Sequence, residues 1–161
     1  MKFDNKEFSF YWKIIKIPTL LLVLWAIIAF IVAKFSMYWY KTLFQSFAGL
    51  ILQIAIFAFV GYAAIAEHKG GPKTAAWAGA LTGIIVGFIG AIVAIIMVNF
   101  VPEIIDDAVA QAVAQGAAAD MVRNITNVMM YVGLVTGPLF GGLFGALISW
   151  ISGLITKKSI K

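Results

Sequence analysis

Residues 128–155 read VMMYVGLVTGPLFGGLFGALISWISGLI, a run that contains no charged side chain. Small residues recur in it at every fourth position, namely at Gly133, Gly137, Gly141, Gly145, Ser149 and Gly153. Positions four apart lie on one face of an α-helix, so these residues form a single stripe. In lipid, such a stripe lets a second backbone approach closely, and this packing replaces the hydrophobic effect between helices. The run therefore predicts a membrane-spanning helix that packs tightly against a neighbour.

The composition of the whole chain agrees with a membrane protein. Hydrophobic residues make up 63% of the 161 residues, charged residues make up 12%, and the mean hydropathy is +1.00. A helix needs about 20 apolar residues to cross the hydrocarbon, and four segments meet this requirement: residues 17–40, 42–66, 74–101 and 128–155. We therefore predict one all-α domain over residues 1–161, an integral membrane four-helix bundle. The chain has no cysteine, which excludes disulfides and thiolate metal sites.

The N-terminal residues 3–16 mix aromatic side chains with lysines. This mixture is typical of a helix that lies in the membrane interface, so we predict an N-terminal interfacial helix on the inner leaflet. Pro18 would then stand in the first turn of span one, where its missing N–H costs nothing. At the other end of this span, Lys34 and the aromatic residues before Lys41 predict the first membrane boundary.

The basic residues predict the orientation. With four spans, both termini and the turn after span two share one side, which holds Lys2, Lys6, Lys13, Lys16, Lys69, Lys73, Lys157, Lys158 and Lys161. The other side holds Lys34, Lys41 and Arg123. Because cytoplasmic loops carry the excess of basic residues, we expect a multi-pass protein of the cell (inner) membrane with cytoplasmic termini. The lysines form no single basic face, so we expect the lipid bilayer rather than a nucleic acid as their partner.

Span three repeats the small-residue pattern at Gly79, Gly83 and Gly87, offset by 54 residues from Gly133, Gly137 and Gly141. Consecutive spans run antiparallel, so the two stripes are expected to face each other as a helix-packing interface. Thr82 and Thr136 are each expected to bond the carbonyl four residues back or to cross to the partner helix. Gly61 belongs to neither series, and we expect a leucine there to do less damage than one at Gly83 or Gly141.

The connection between spans three and four predicts a short external amphipathic helix. Pro102 suits a first turn, acidic residues follow it, and Gly116 suits the end. The apolar residues of this segment share one face, which we expect to rest across the mouth of the bundle or on the leaflet. Residues 117–127 are expected to lead directly into span four. Asp106 and Asp107 are adjacent and have no histidine nearby, so we interpret them as a solvated face rather than a metal site.

Ionisable side chains at mid-membrane depth mark proton and ion pathways, and the predicted spans contain none there. Gln53 is the strongly polar residue near the centre of span two, while Asn99 and Asn127 lie near span ends. Gln53, Thr82 and Thr136 form the possible polar interior. His68 lies in a glycine-proline turn and has no second imidazole beside it in sequence. We therefore predict no catalytic, metal or cofactor site, and a protein that is not an enzyme.

The order of these segments along the chain resembles that of a known group of proteins. A basic aromatic start, two plain spans, a Gly-Gly-Pro-Lys turn at residues 70–73, a glycine-rich span, an acidic alanine-rich helix and a final glycine-rich span follow one another. This arrangement resembles small four-span prokaryotic membrane proteins catalogued as domains of unknown function. The resemblance covers nearly the whole chain and implies the fold, but no activity and no site residues.

Two functions remain open from the sequence. The first is an accessory, scaffolding or assembly component that uses its glycine stripes for contacts with other membrane subunits or for self-association. The alternative is an oligomeric channel or small-solute permease with polar groups along a path between protomers. A permease is expected to have a water-filled cavity at mid-depth. An accessory component is expected to have a dry bundle with its small-residue stripe exposed on the surface.

Overall fold

A computed structural model of the chain describes residues 2–3 and 6–160. Two short strands, β1 (Lys2–Phe3) and β2 (Lys6–Glu7), pair in antiparallel fashion. The helices that follow are α1 (Phe8–Phe35), α2 (Met37–Leu43), α3 (Phe47–Ala66), α4 (Pro72–Phe100), α5 (Glu103–Ala114) and α6 (Ala119–Ser159). The predicted all-α fold class is confirmed.

Four of these helices, α1, α3, α4 and α6, are long and apolar enough to cross a membrane. At a rise of about 1.5 Å per residue, the 20 residues of α3 give about 30 Å, which matches the hydrocarbon thickness. The 41 residues of α6 give about 60 Å. The chain is therefore a multi-pass membrane protein in which α6 is much longer than one crossing needs.

The predicted separate interfacial helix at the N-terminus is wrong in the part that the structure describes. Helix α1 runs without a break from Phe8 to Phe35, and Pro18 is buried within it rather than in its first turn. Tyr11, Ile14 and Ile15 are almost fully buried in a core cluster with residues of α3 and α4. Their apolar face is covered by protein, so this segment extends span one instead of lying on the leaflet. Asp4 and Asn5 of the predicted segment lie outside the described residues.

The predicted first span also ends too late. Ser36 is extended (φ −159°) and its hydroxyl accepts a 3.4 Å hydrogen bond from the N–H of Trp39, which starts the separate helix α2. Phe44, just after α2, lies 4.3 Å from Trp25 between ring centroids. Trp25 is ten residues, or about 15 Å, before the end of α1. Residues 37–44 therefore fold back along α1, and span two begins at Phe47.

The four long helices form a bundle in which α4 packs against α1, α3 and α6, and α6 also packs against α3. The most extensive of these contacts joins α4 to α6. A tight turn brings α3 and α4 together: Lys69 adopts a left-handed conformation (φ 50°), and the N–H of Gly70 donates to the carbonyl of Ala64 at 2.8 Å. His68 in this turn contacts the ring of Phe10.

The predicted amphipathic helix between spans three and four is α5, and it lies at the end of the bundle opposite the described termini, here called the α5 end. Ile104 packs on a buried cluster of Ala33, Met97 and Val101. Gly116 ends the helix region with a positive φ of 91°, and α6 then starts at Ala119, before the predicted span. Helix α5 therefore rests across the end of the bundle.

Two ion pairs hold α5 in place. Asp107 pairs with Lys41 of α2, and Asp106 pairs with Arg123 of α6 at 2.6 Å. The two carboxylates are about half exposed, which agrees with a solvated face, but each has a cationic partner. Exposed pairs of this kind contribute roughly 0–1 kcal/mol each. They fix the position of α5 more than they stabilise the fold.

Candidate functional site

Three glycine pairs join α4 to α6 by direct backbone contact: Gly79 with Gly145, Gly83 with Gly141, and Gly87 with Gly137. A Cβ atom added to Gly141 would lie 2.5 Å from the carbonyl oxygen of Gly83, and real Cβ atoms essentially never come closer than 3.0 Å to such a neighbour. The same addition at Gly137 would place the atom 2.9 Å from the carbonyl oxygen of Gly87. Only glycine fits at these positions.

The glycine pairing stops abruptly toward the α5 end. A Cβ atom added to Gly133, or to Gly90 on the facing helix, would meet nothing within 4 Å. Gly133 was expected in the helix-packing interface, and the structure places it outside. The two helices have already separated at this depth, one turn beyond the contact of Gly87 with Gly137.

Toward the termini, α3 joins α4 in the interface with α6. Ser149 is fully buried and its hydroxyl donates a 2.7 Å hydrogen bond to the carbonyl of Phe57, while Ser152 donates to the carbonyl of Ala58 at 2.6 Å. A Cβ atom on Gly61 would lie only 2.9 Å from the backbone carbon of Ser149 and from Cβ of Ser152. Ser149, expected in the interface, thus binds a second helix as well.

The expectation that a leucine at Gly61 does less damage than one at Gly83 or Gly141 is contradicted by this contact. Gly61 has no glycine four residues before or after it, so it belongs to no four-residue series of small residues. The signal that was available is the pair of serines at positions 149 and 152 of α6. They lie one turn apart on a helix and are small enough for a third backbone to approach.

The two threonines of the predicted polar interior bond within their own helices. The hydroxyl of Thr82 donates to the carbonyl of Ala78 at 2.9 Å, and that of Thr136 donates to the carbonyl of Val132 at 3.2 Å. This was the first of the two arrangements expected for them. Neither threonine lines the cavity beside Gln53.

Gln53 lines a cavity of about 330 Å³ between the helices, here called the central cavity. Each of the four long helices and the fold-back segment contributes to its wall, and the lining includes Trp25, Ala26, Tyr40, Phe44, Gln53, Phe57, Gly83, Gly87, Gly141 and Phe144. Three of these residues are glycines of the α4–α6 interface. The stripe that lets the two backbones touch also leaves space beside them, because glycines fill no volume with side chains.

The chemistry of the central cavity is mostly apolar, with two polar groups. Two aromatic pairs form parts of its wall, Trp25 with Phe44 and Phe57 with Phe144. Gln53 brings an amide and Tyr40 brings a hydroxyl, and neither side chain makes a hydrogen bond within residues 2–3 and 6–160. The lining contains no charged side chain. Such a wall suits an uncharged molecule with one or two hydrogen-bonding groups.

Among the described residues, no three His, Cys, Asp or Glu side chains come close enough together to hold a metal ion. His68 lies in the α3–α4 turn against Phe10, away from the central cavity. Asp106 and Asp107 lie at the α5 end, each in an ion pair.

We compared the chain with protein-family models, with curated proteins and with solved structures, and none of the three comparisons found a match. The resemblance to four-span prokaryotic proteins therefore stays a prediction from the sequence.

Proposed function

We propose that this protein is a non-enzymatic membrane protein that binds a small, uncharged, mainly apolar molecule in the central cavity. The observation that supports the proposal is the convergence of all four long helices on one cavity at the depth of Gln53. A cavity of about 330 Å³ has room for roughly ten water molecules and falls in the range of small-ligand sites.

The polar groups of the cavity would make the site selective for ligands that form hydrogen bonds. The side chain of Gln53 is exposed at the surface of the chain, within a predicted span, so its surroundings outside the cavity are lipid. An amide away from water loses free energy unless it finds a hydrogen-bond partner. Gln53 offers two donors and an acceptor, and Tyr40 offers a hydroxyl on the same cavity wall. A bound molecule with a carbonyl or hydroxyl group satisfies both while its apolar part packs on the aromatic pairs.

This role develops the small-solute alternative, with the site inside one chain instead of between protomers.

Native mass spectrometry of the protein released from its own membrane tests the proposal. We expect wild-type protein to retain a non-covalent mass, and Ala26→Phe to lose it because the added ring fills the cavity. Gln111→Leu is the control, since Gln111 is exposed on α5 and does not line the cavity. Ala29→Phe repeats the test from the next turn of α1 in case one variant folds poorly. Retention of the same mass by folded Ala26→Phe protein refutes the proposal.

A second candidate is the accessory or scaffolding role. The glycine stripe is occupied by contacts between α4 and α6, so partner contacts would need another surface. One is available on α6, where the large side chains of Leu139, Phe140, Leu143 and Leu147 are 54–70% exposed. Either lipid or a second subunit can cover such a surface in a membrane.

Disulfide cross-linking in the cysteine-free chain distinguishes lipid from a second subunit on this surface of α6. If α6 is a subunit interface, Leu143→Cys cross-links in native membranes, whereas Ile31→Cys on the exposed face of α1 does not. Equal cross-linking at both positions, or none at either, removes the support for α6 as a docking surface.

A further inference from the structure

Helices α4 and α6 leave a groove open to the surface, here called the crevice, beyond the last glycine pair; its polar lining residues Asn99, Asn127 and Tyr131 are exposed. Gly87 and Gly137 are in backbone contact, but Gly90 and Gly133 have no neighbour within 4 Å of an added Cβ atom. The crevice between the separated segments has a volume of about 330 Å³ and is lined by Ile95, Val98, Asn99, Asn127, Met130 and Tyr131.

Three of these side chains are polar, and they have hydrogen-bonding capacity left over. The amide nitrogen of Asn99 donates to the carbonyl of Ile95 at 2.7 Å, which leaves its oxygen as an acceptor. The side chains of Asn127 and Tyr131 make no hydrogen bond with any described part of the chain. They lie four residues apart, on one face of α6.

The polar groups of the crevice lie at two depths along the membrane normal. Asn99 lies one residue before the end of α4, and Asn127 follows Arg123 by one helical turn. Both therefore lie near the edge of the apolar runs, the depth at which tyrosine and amide side chains meet lipid head groups. Of the other lining residues, Ile95, Val98 and Met130 are apolar, and Tyr131 lies one helical turn closer to the glycine pairs than Asn127. The crevice thus has two amides near the interface and a phenol beside apolar side chains deeper in the hydrocarbon.

The charges near the crevice indicate which head group fits. No charged side chain lines it, and the nearest cation along α6, Arg123, is already paired with Asp106. An anionic phosphate would find no cation there, whereas hydroxyl and ester groups match two amides and a phenol. We propose that the crevice binds one membrane lipid with an uncharged, hydroxyl- or ester-bearing head group, such as a diacylglycerol. This site is separate from the central cavity and does not depend on its occupant.

Photo-crosslinking in reconstituted vesicles tests the proposal. The full chain is placed in phosphatidylcholine vesicles that contain a photoactivatable diacylglycerol or, in parallel, a photoactivatable phosphatidylglycerol. We expect the diacylglycerol probe to label peptides that contain residues 95–99 and 127–131. Each hydrogen bond removed should lower labelling roughly fivefold, so Tyr131→Phe should lose about that factor and a Tyr131→Phe, Asn127→Leu double variant more.

Asn124→Leu is the matched control, because Asn124 is exposed on the same stretch of α6 but does not line the crevice. Labelling that drops in the crevice variants and not in the control supports the site. Undiminished labelling of folded Tyr131→Phe protein, or equal labelling by the phosphatidylglycerol probe, overturns it. A wild-type protein that neither probe labels at these peptides overturns it as well.

Discussion

Gly83 of α4 and Gly141 of α6 face each other with no side chain between them, and a Cβ atom on Gly141 would lie 2.5 Å from the carbonyl oxygen of Gly83. This pair lies at the middle of the three glycine contacts that hold the helix hairpin together. The same two glycines line the central cavity. The close approach of two backbones and the cavity beside it therefore have one cause.

The glycine contact predicts that Gly141→Leu is strongly destabilising. Overpacking of a tight core costs about 1–3 kcal/mol, and here the two backbones must also move apart. Gly133→Leu is the matched control on the same helix, because an added side chain there meets open space. In detergent, the unfolding temperature should be clearly lower for Gly141→Leu and nearly unchanged for Gly133→Leu. Similar losses for both would contradict the interface.

A second prediction concerns Gly61, which the sequence pattern did not single out. A Cβ atom added to Gly61 would collide with the backbone of Ser149 and the side chain of Ser152, so Gly61→Leu should destabilise the protein as much as Gly83→Leu. Gly90→Leu supplies the control, since Gly90 has no such neighbour. All three unfolding temperatures are measured in the same detergent. A Gly61→Leu protein as stable as the control would show that α3 does not contact α6 in this way.

The hydrogen bonds of Ser149 and Ser152 predict that replacing either serine by alanine lowers the free energy of unfolding only slightly. Double-mutant measurements give an average near 0.6 kcal/mol for hydrogen bonds between membrane helices. Ser149→Ala and Ser152→Ala should each lower the free energy of unfolding by about that amount. Ser159→Ala is the control, because its hydroxyl bonds only the carbonyl of Ile155 in its own helix. A loss of several kcal/mol from Ser149→Ala would mean that the hydroxyl has a role beyond this bond.

The distribution of lysine and arginine predicts the topology. In a chain without cysteine, Ala114→Cys at the end of α5 and Ser159→Cys at the end of α6 are expected to lie on opposite sides of the membrane. A membrane-impermeant thiol reagent applied to intact cells should label the Ala114→Cys protein but not the Ser159→Cys protein. In permeabilised cells, the reagent should label both variants. Labelling of both in intact cells would rule out the predicted orientation.

The parts of the fold that the sequence predicts well are those with a local cause. Gly79, Gly83 and Gly87 repeat at the helical period in an uncharged run, so their stripe and its antiparallel partner follow from spacing alone. Pro102 and Gly116 likewise delimit the region of α5 through their own backbone preferences. Local patterns of this kind do not depend on how the remaining helices pack.

The parts that the sequence predicts poorly depend on packing between distant segments. Aromatic residues and lysines in residues 3–16 fit an interfacial helix, but Tyr11, Ile14 and Ile15 are spaced equally well for burial on α3 and α4. The fold-back of α2 has no glycine or proline to signal it, because Ser36 and Ser46 cap the helices instead. Gln53 was recognised as polar and central, yet its cavity exists only where all four long helices meet.

Two features of the structure bear on the accessory role and the small-solute role that the sequence leaves open. An accessory component was expected to show its glycine stripe on the surface of a dry bundle. Instead, the stripe is used inside the chain, and a cavity lies next to Gln53. Both features favour a role in binding over a role in which glycines recruit a partner.

The most direct test of this account is the occupancy of the central cavity in Gln53→Leu protein, measured by native mass spectrometry against wild type and the Gln111→Leu control. Leucine is similar in size to glutamine and leaves the volume nearly unchanged, so the comparison isolates the hydrogen bond of the amide. We predict that Gln53→Leu protein folds normally and that its occupancy falls roughly fivefold or more, while the control keeps wild-type occupancy. Equal occupancy in all three proteins, or a wild-type protein that carries no bound molecule, would contradict the account.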